Sequence, residues 1–223
     1  MTGEELIEFL RPGRFIDSDA ETVSAFAARA ASGASGVRAQ AIRLFLAVRD
    51  EIRYDPYIDL TAPESCIASA VLARGRGWCV GKAALLSAAA RTLGIPARIG
   101  LADVRNHLAT PQLLERLGTD IFVDHGYSQL WLDGRWVKAT PTFNLSLCER
   151  FRVRPLEFDG INDALFHPFD ADGRAHMQYL RDHGSFADVP FERIRADLEA
   201  TYPRAMGRPV DDDADRFERE AGA

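Results

Sequence analysis

Apolar residues fall in two rhythms along the chain, and the rhythm changes near its middle. In the first half they recur every three or four positions. Val23, Phe26, Ala27 and Ala30 share one face of a segment from Asp17 to Ser32, with Asp17 or Ser18 placed to cap it and Glu21 in its first turn. That spacing predicts an amphipathic helix. Ser32-Gly33-Ala34-Ser35-Gly36 ends it, and Ile42, Phe45, Leu46, Val48 and Ile52 form a second stripe over Val37 to Tyr54. Tyr54 to Pro63, with two prolines and several aspartates, predicts a loop, and Glu64 to Ala73 a short helix. From Val80 to Leu93 the pattern differs in kind. Ala, Leu, Val and Ser fill almost every position and only Lys82 and Arg91 are charged. A helix apolar on nearly every side belongs in the middle of a domain. Gly94 suits the left-handed position after its C-terminus, and Pro96 stops it from continuing.

After Pro96 the period shortens to two. Ala97 to Leu101 predicts a strand, and Asp103 to Gly118 a polar insertion with a short helical piece near Gln112 to Arg116. Ile121 to Leu132 and Arg135 to Thr140 flank Asp133-Gly134, a dipeptide that favours the two-residue type I′ hairpin turn. With those two residues as the loop, Leu132 pairs with Arg135, Tyr127 lies opposite Thr140 and His125 opposite Thr142. His125, Tyr127, Gln129, Trp131, Trp136, Lys138, Thr140 and Thr142 then share the more polar face, and Thr140 is the diagonal neighbour of His125. Phe122, Leu130, Leu132, Val137 and Ala139 form the face suited to the core. Further on, Arg152 to Phe158 predicts a strand and Phe191 to Thr201 a helix. Helices followed by strands indicate an α+β domain with an antiparallel sheet. No repeat or linker divides it, so residues 1–210 read as a single domain and the acidic stretch 211–223 as a frayed tail.

Composition narrows the function classes. The 223 residues are 47% hydrophobic and 27% charged with a net charge of −6, which is ordinary for a soluble globular protein. The negative balance and the lack of a basic stripe argue against nucleic-acid or anionic-membrane partners. Met1 to Arg11 lacks the pattern of a secretory signal, and no apolar run is long enough to span a bilayer. The three cysteines, Cys66, Cys79 and Cys148, have no CxxC spacing and read as reduced thiols of a cytoplasmic protein.

One cysteine stands apart. Gly75-Arg76-Gly77-Trp78-Cys79-Val80-Gly81-Lys82 reads as a glycine-rich turn delivering Cys79 to the first turn of the central helix. There the helix dipole and unpaired backbone N–H groups favour thiolate over thiol, and Gly77 and Gly81 leave room for approach to the sulfur. A thiol at a helix N-terminus and a strand imidazole, His125, distant in sequence, together suit nucleophilic catalysis. A buried, inert Cys and a structural His remain the plainer alternatives for each residue alone.

Taken together these segments resemble a known family. Gly77-Trp78-Cys79, Ala83, Leu86 and Arg91-Thr92-Leu93-Gly94-Ile95-Pro96-Ala97-Arg98 look like the nucleophile helix of the transglutaminase-like superfamily. His125, Leu130-Trp131-Leu132-Asp133-Gly134-Arg135-Trp136-Val137 and Pro141-Thr142 are similar to its histidine strand and following hairpin. The resemblance covers about 37–142, leaving 145–210 as an elaboration. It implies a papain-like core, with a helix bearing Cys79 packed on an antiparallel sheet bearing His125. It further implies acyl transfer, or amide or ester hydrolysis, through a thioester on Cys79, with His125 as base and acid.

One position departs from the pattern. The family implies an aspartate before the Pro-Thr pair, and Thr140 stands there. A hydroxyl can fix the imidazole tautomer but brings no charge. Losing that charge is severe in serine enzymes, less so where thiolate supports the imidazolium. Asn144 is a candidate substitute, as are Asp159 or Asp163 from the C-terminal part, whereas Asp124 points to the wrong face. Cys79, His125 and Thr140 are thus the expected catalytic set, and Trp78, Tyr127 and Asn144 the expected substrate-binding residues. Trp78 can shield the thioester, help hold the oxyanion, or simply wedge the core. His167, His176 and His183 with Asp170, Asp172 and Asp182 match no metal-ligand spacing, so neither metal nor organic cofactor is expected. Residues 103–118 and 151–186 are candidate covers for the site. The expected partner is a peptide, protein or small-molecule acyl substrate. The rival from another class is a non-catalytic binding module that has kept the fold, with Thr140 the feature favouring it.

Overall fold

The computed structural model describes residues 3–107, 109–166, 173–174, 176–205, 213 and 215–221. After a short helix α1 (Gly3–Ile7), the two amphipathic stripes fold as helices α2 (Glu21–Ala30) and α3 (Val37–Glu51). The N-cap of α2 is Ala20 and lacks a side-chain cap, where the sequence favours Asp17 or Ser18. Asp17 instead accepts the Ser69 N–H (3.1 Å). Helix α3 stops at Glu51 because Arg53–Tyr54 becomes a two-residue strand, β1. Helix α4 (Ala68–Arg74) ends on Gly75 in the left-handed region, and β2 (Arg76–Gly77) then pairs with β1 in parallel. That short pairing positions the turn from which α5 (Cys79–Thr92) starts.

Residues Cys79 to Arg91 of α5 are all buried, as an all-round apolar helix requires. Helices α2, α3 and α4 pack around it on one side and the sheet on the other. Its two charged residues are satisfied inside. The Lys82 ammonium donates to the Arg49 carbonyl (2.9 Å) and to that of Ile52, fastening α5 to the end of α3. Burial lowers the Lys82 pKa to about 7. The Arg91 guanidinium bonds the Ala97 carbonyl (2.8 Å) and the Ala187 carbonyl, joining the helix end to the sheet and to a distant loop.

The sheet consists of β3 (Ala97–Asn106), β4 (Ile121–Leu132), β5 (Arg135–Ala139) and β6 (Met177–Phe186) in the order β5-β4-β3-β6, antiparallel throughout. Helix α6 (Pro111–Leu117), capped by the Thr110 hydroxyl on the Leu113 N–H, lies between β3 and β4. The hairpin turn has positive φ at both Asp133 (49°) and Gly134 (84°), as a type I′ turn demands. The expected register holds from Leu132↔Arg135 to Ser128↔Ala139 and stops there. Beyond Ala139 the chain leaves β4, and Thr140 N–H bonds the Ala164 carbonyl (3.0 Å).

Three further expectations are corrected. Residues 152–158 form no strand, because helix α7 (Leu145–Phe151) ends on Arg152 with φ of +56° and the chain continues irregularly. The fourth strand is instead β6, inside the segment expected to be a cover; its exposed, polar residues give no alternating signal. The stretch read as a frayed tail contains α9 (Arg216–Ala221), whose Phe217 packs edge-on against Tyr54 and Tyr57 and is buried; Asp211 and Asp212 lie outside the described residues. The last helix before it, α8 (Phe191–Thr201), has the expected limits and covers β4. No helix among the described residues is long and apolar enough to cross a membrane.

Candidate active site

The site forms where the first turn of α5 meets the middle of β4. Two glycines allow the approach. A Cβ on Gly126 would lie 2.7 Å from Val80 Cα, so only glycine admits the helix this close to the strand. A Cβ on Gly81 would meet the Ser65 carbonyl at 2.4 Å. Gly81 and Gly77 therefore serve packing against Ser65 and Val71, not open space beside the sulfur as the sequence suggests. The Ser128 hydroxyl adds a bond to the Ala83 carbonyl (2.8 Å) that holds helix to strand.

A bulge shapes the strand end. Ala102 pairs with His125 but Val104 pairs with Phe122, so β4 carries one extra residue between them. Asp124 there has φ of +51°, a left-handed conformation that aspartate tolerates better than most residues. The extra residue reverses the alternation, which brings Phe122 to the face of His125 although simple periodicity puts them on opposite sides.

Cys79 and His125 line one cleft of about 420 Å³, counting its open mouth. Its walls are Tyr54, Trp78, Leu113, Val123, Leu198 and Tyr202. Leu113 comes from α6 and Leu198 from α8, so both late elements help enclose the site. The Tyr202 hydroxyl accepts the Val123 N–H (2.7 Å) and donates to the Ile121 carbonyl (3.0 Å), binding the end of α8 to β4.

These walls decide the protonation states. Burial pushes the Cys79 thiol up to about 11. The backbone N–H groups of Gly126, Val80 and Cys79 favour thiolate but do not outweigh it, and Asp124 adds to the upward shift. Burial alone lowers the His125 imidazole to about 4. Burial thus favours neutral thiol and neutral imidazole, against the thiolate favoured by the helix dipole. The His125 Nε2 atom makes no hydrogen bond. The ring contacts Phe166 (centroids 5.3 Å apart) and the edge of Tyr179 (6.4 Å).

The remaining expected residues divide. Trp78 walls the cleft, and its indole N–H is committed to the Ser65 carbonyl (3.2 Å). Thr140 is buried beside Tyr179, and its hydroxyl makes no hydrogen bond. Tyr127 is not part of the cleft. It lines a separate groove with Ala102, Lys138 and Asp182 and carries the Lys138 ammonium 5.0 Å from its ring centre. The Asn144 amide is engaged by Tyr54 N–H (3.0 Å), Ser146 (2.7 Å) and Glu218 (2.9 Å), so it fixes β1 and α9 to the core. Asp159 closes its own turn through Ile161 and Asn162, and Asp163 accepts the Lys138 N–H (2.8 Å). Tyr179 and Gly126 escape a reading of the sequence, Tyr179 because it lies on the unrecognised strand. Of the residues considered for a metal, His176 is buried against Phe143, and His167, Asp170 and Asp172 lie outside the described residues.

Comparison with known proteins agrees with this architecture. Residues 24–141 match the family model described as the transglutaminase-like superfamily. A solved structure from Cytophaga hutchinsonii, described as a candidate cysteine protease, is similar at 18% identity with a TM-score of 0.50, over 83% of this chain and 55% of that one. One from Parabacteroides distasonis ATCC 8503, described as a candidate protease, aligns at 18% identity with a TM-score of 0.41, over 64% of this chain and 26% of that one. The chain thus spans little more than half of the first and about a quarter of the second. No curated protein matches the sequence. The expected papain-like arrangement of a helix on an antiparallel sheet is the one observed.

Proposed function

The chain belongs to the transglutaminase-like superfamily, and on that premise we propose that it is a cysteine-dependent enzyme that hydrolyses or transfers an acyl group through a thioester on Cys79. The observation that carries this reading is the shared cleft: a thiol on a helix N-terminus and an imidazole on the facing strand open into one cavity. Burial favours the neutral thiol and imidazole, so in this reading the proton moves as the substrate reacts. The His125 imidazole takes the thiol proton as sulfur attacks the carbonyl carbon. The C–S bond forms, and the negative charge on oxygen is held by the Cys79 backbone N–H and one further donor. His125 then returns the proton to the departing amine or alcohol. In the second half it activates water for hydrolysis, or an amine for transfer. The apolar walls Tyr54, Leu113, Leu198 and Tyr202 suit an uncharged, apolar acyl portion.

The rival reading, a binding module without catalysis, draws on Thr140. Its hydroxyl is buried without a hydrogen bond, and no aspartate or asparagine among the described residues bonds the free imidazole nitrogen. Iodoacetamide labelling at mildly alkaline pH with mass spectrometric mapping separates the two. An enzyme gives modification confined to Cys79 and slowed in His125→Ala, with Cys66 and Cys148 untouched because both are sealed in the core. Labelling indifferent to His125, or directed to Cys66 or Cys148, defeats the catalytic reading.

A further inference from the structure

Three strands present a second group of reactive side chains that the acyl chemistry does not use. Asp103 stands on β3, Asp124 on the β4 bulge and His183 on β6, with one ligand atom of each lying within 4.8 Å of the others. His183 Nε2 is 2.8 Å from Asp103 Oδ1 and 3.9 Å from Asp124 Oδ1. The Asp124 side chain is 1% exposed, no N–H or O–H donor bonds either of its carboxylate oxygens, and the Asp197 carboxylate lies beside it. The nearest cation, Arg193 on α8, stays 3.6 Å from Asp124 Oδ1 and is shared with Asp197 (3.5 Å). A sealed carboxylate without such a donor carries a large desolvation penalty. A purely structural ion pair at this depth would be expected to close to bonding distance.

We propose that Asp103, Asp124 and His183 form a binding site for a divalent transition-metal cation. Three observations converge on it. Charge is the first: Asp124 and Asp197 share the single Arg193 guanidinium while Asp103 meets His183, so carboxylates crowd the site without a full cationic partner for each. The donor set is the second. Two carboxylates and an imidazole suit zinc or manganese, whereas calcium and magnesium favour all-oxygen shells. Spacing is the third. Tetrahedral bonds of about 2.0–2.1 Å set ligand atoms about 3.3 Å apart, and the 2.8 and 3.9 Å separations straddle that value. Metal entry replaces the His183–Asp103 hydrogen bond and releases Arg193, which is 38% exposed, toward Asp197. Asp124 immediately precedes His125, so the ion would also brace the bulge that aims the imidazole.

The test uses the full chain carrying Cys79→Ser, so that the Cys79–His125 pair cannot account for binding. After chelator treatment, zinc and then manganese are titrated by calorimetry. The site predicts one equivalent of zinc bound, weakened at least about tenfold by His183→Ala and by Asp103→Asn. It also predicts tighter binding in Arg193→Ala, where the competing cation is gone. Asp124→Asn risks misfolding, so the outcome is decided on His183→Ala and Asp103→Asn, each checked for native circular dichroism. No zinc binding at about a hundred micromolar, a level any structural site exceeds, overturns the proposal. So does binding that is equally strong in both variants.

Discussion

Replacing Gly126 with alanine tests whether the meeting of α5 and β4 is as tight as the structure requires. The new Cβ would sit 2.7 Å from Val80 Cα and 3.0 Å from Val80 N, both backbone atoms that cannot rotate away. Reaching ordinary contact at 3.4 Å needs a separation of about 0.7 Å between strand and helix. The Ser128–Ala83 bond and the β3 and β5 ladders pin the strand, so the first turn of α5 must yield. Overpacking of this kind costs about 1–3 kcal/mol. For a domain of this size that lowers the melting temperature by about 2–12 °C. The same shift moves Cys79 relative to His125, and misplacement approaching 1 Å costs up to about a hundredfold in rate. Thermal denaturation and Cys79 alkylation rates are measured side by side, with Gly3→Ala as the control because nothing lies within 4 Å of its added carbon. A Gly126→Ala protein that melts within about 1 °C of the parent and alkylates at the parental rate would refute the reasoning.

Two other outcomes follow from burial. Folding holds the His125 pKa near 4, below its unfolded value of 6.5, so the unfolded chain binds the extra proton and stability falls as pH drops from about 6.5 to about 4. Asp124, raised to about 6, acts in the opposite sense over an overlapping window, so the comparison must be with a variant at His125 itself. His125→Gln should flatten the acid limb seen in urea denaturation across that range; an unchanged slope contradicts the buried, neutral imidazole. Phe217→Ala should cost about 3–5 kcal/mol, release α9 to proteolysis and speed Cys79 alkylation by loosening Tyr54. Equal protease resistance in variant and parent would show that α9 does not hold the cleft wall.

Local rules account for the central helix and the hairpin. The run from Val80 to Leu93 has no polar face, so it is stable only when enclosed, and it is. Asp133-Gly134 takes positive φ at both positions, and that alone sets the five-pair register of β4 on β5. Each of these signals resides in a few neighbouring residues. The bulge at Asp124, by contrast, depends on pairing with β3, twenty residues upstream, and it reverses the alternation at Phe122. Strand β6 has no periodic signal because it is an edge strand with half its residues exposed; the free edge of β3 recruits it. The ionisation of the thiol is the least local property of all. The helix terminus favours thiolate, but Tyr54, Leu113, Leu198 and Tyr202, spread over most of the chain, exclude water and push the sulfur to about 11. Backbone geometry follows from residues near in sequence, whereas desolvation depends on every group that closes over an atom, and only the folded chain assembles those.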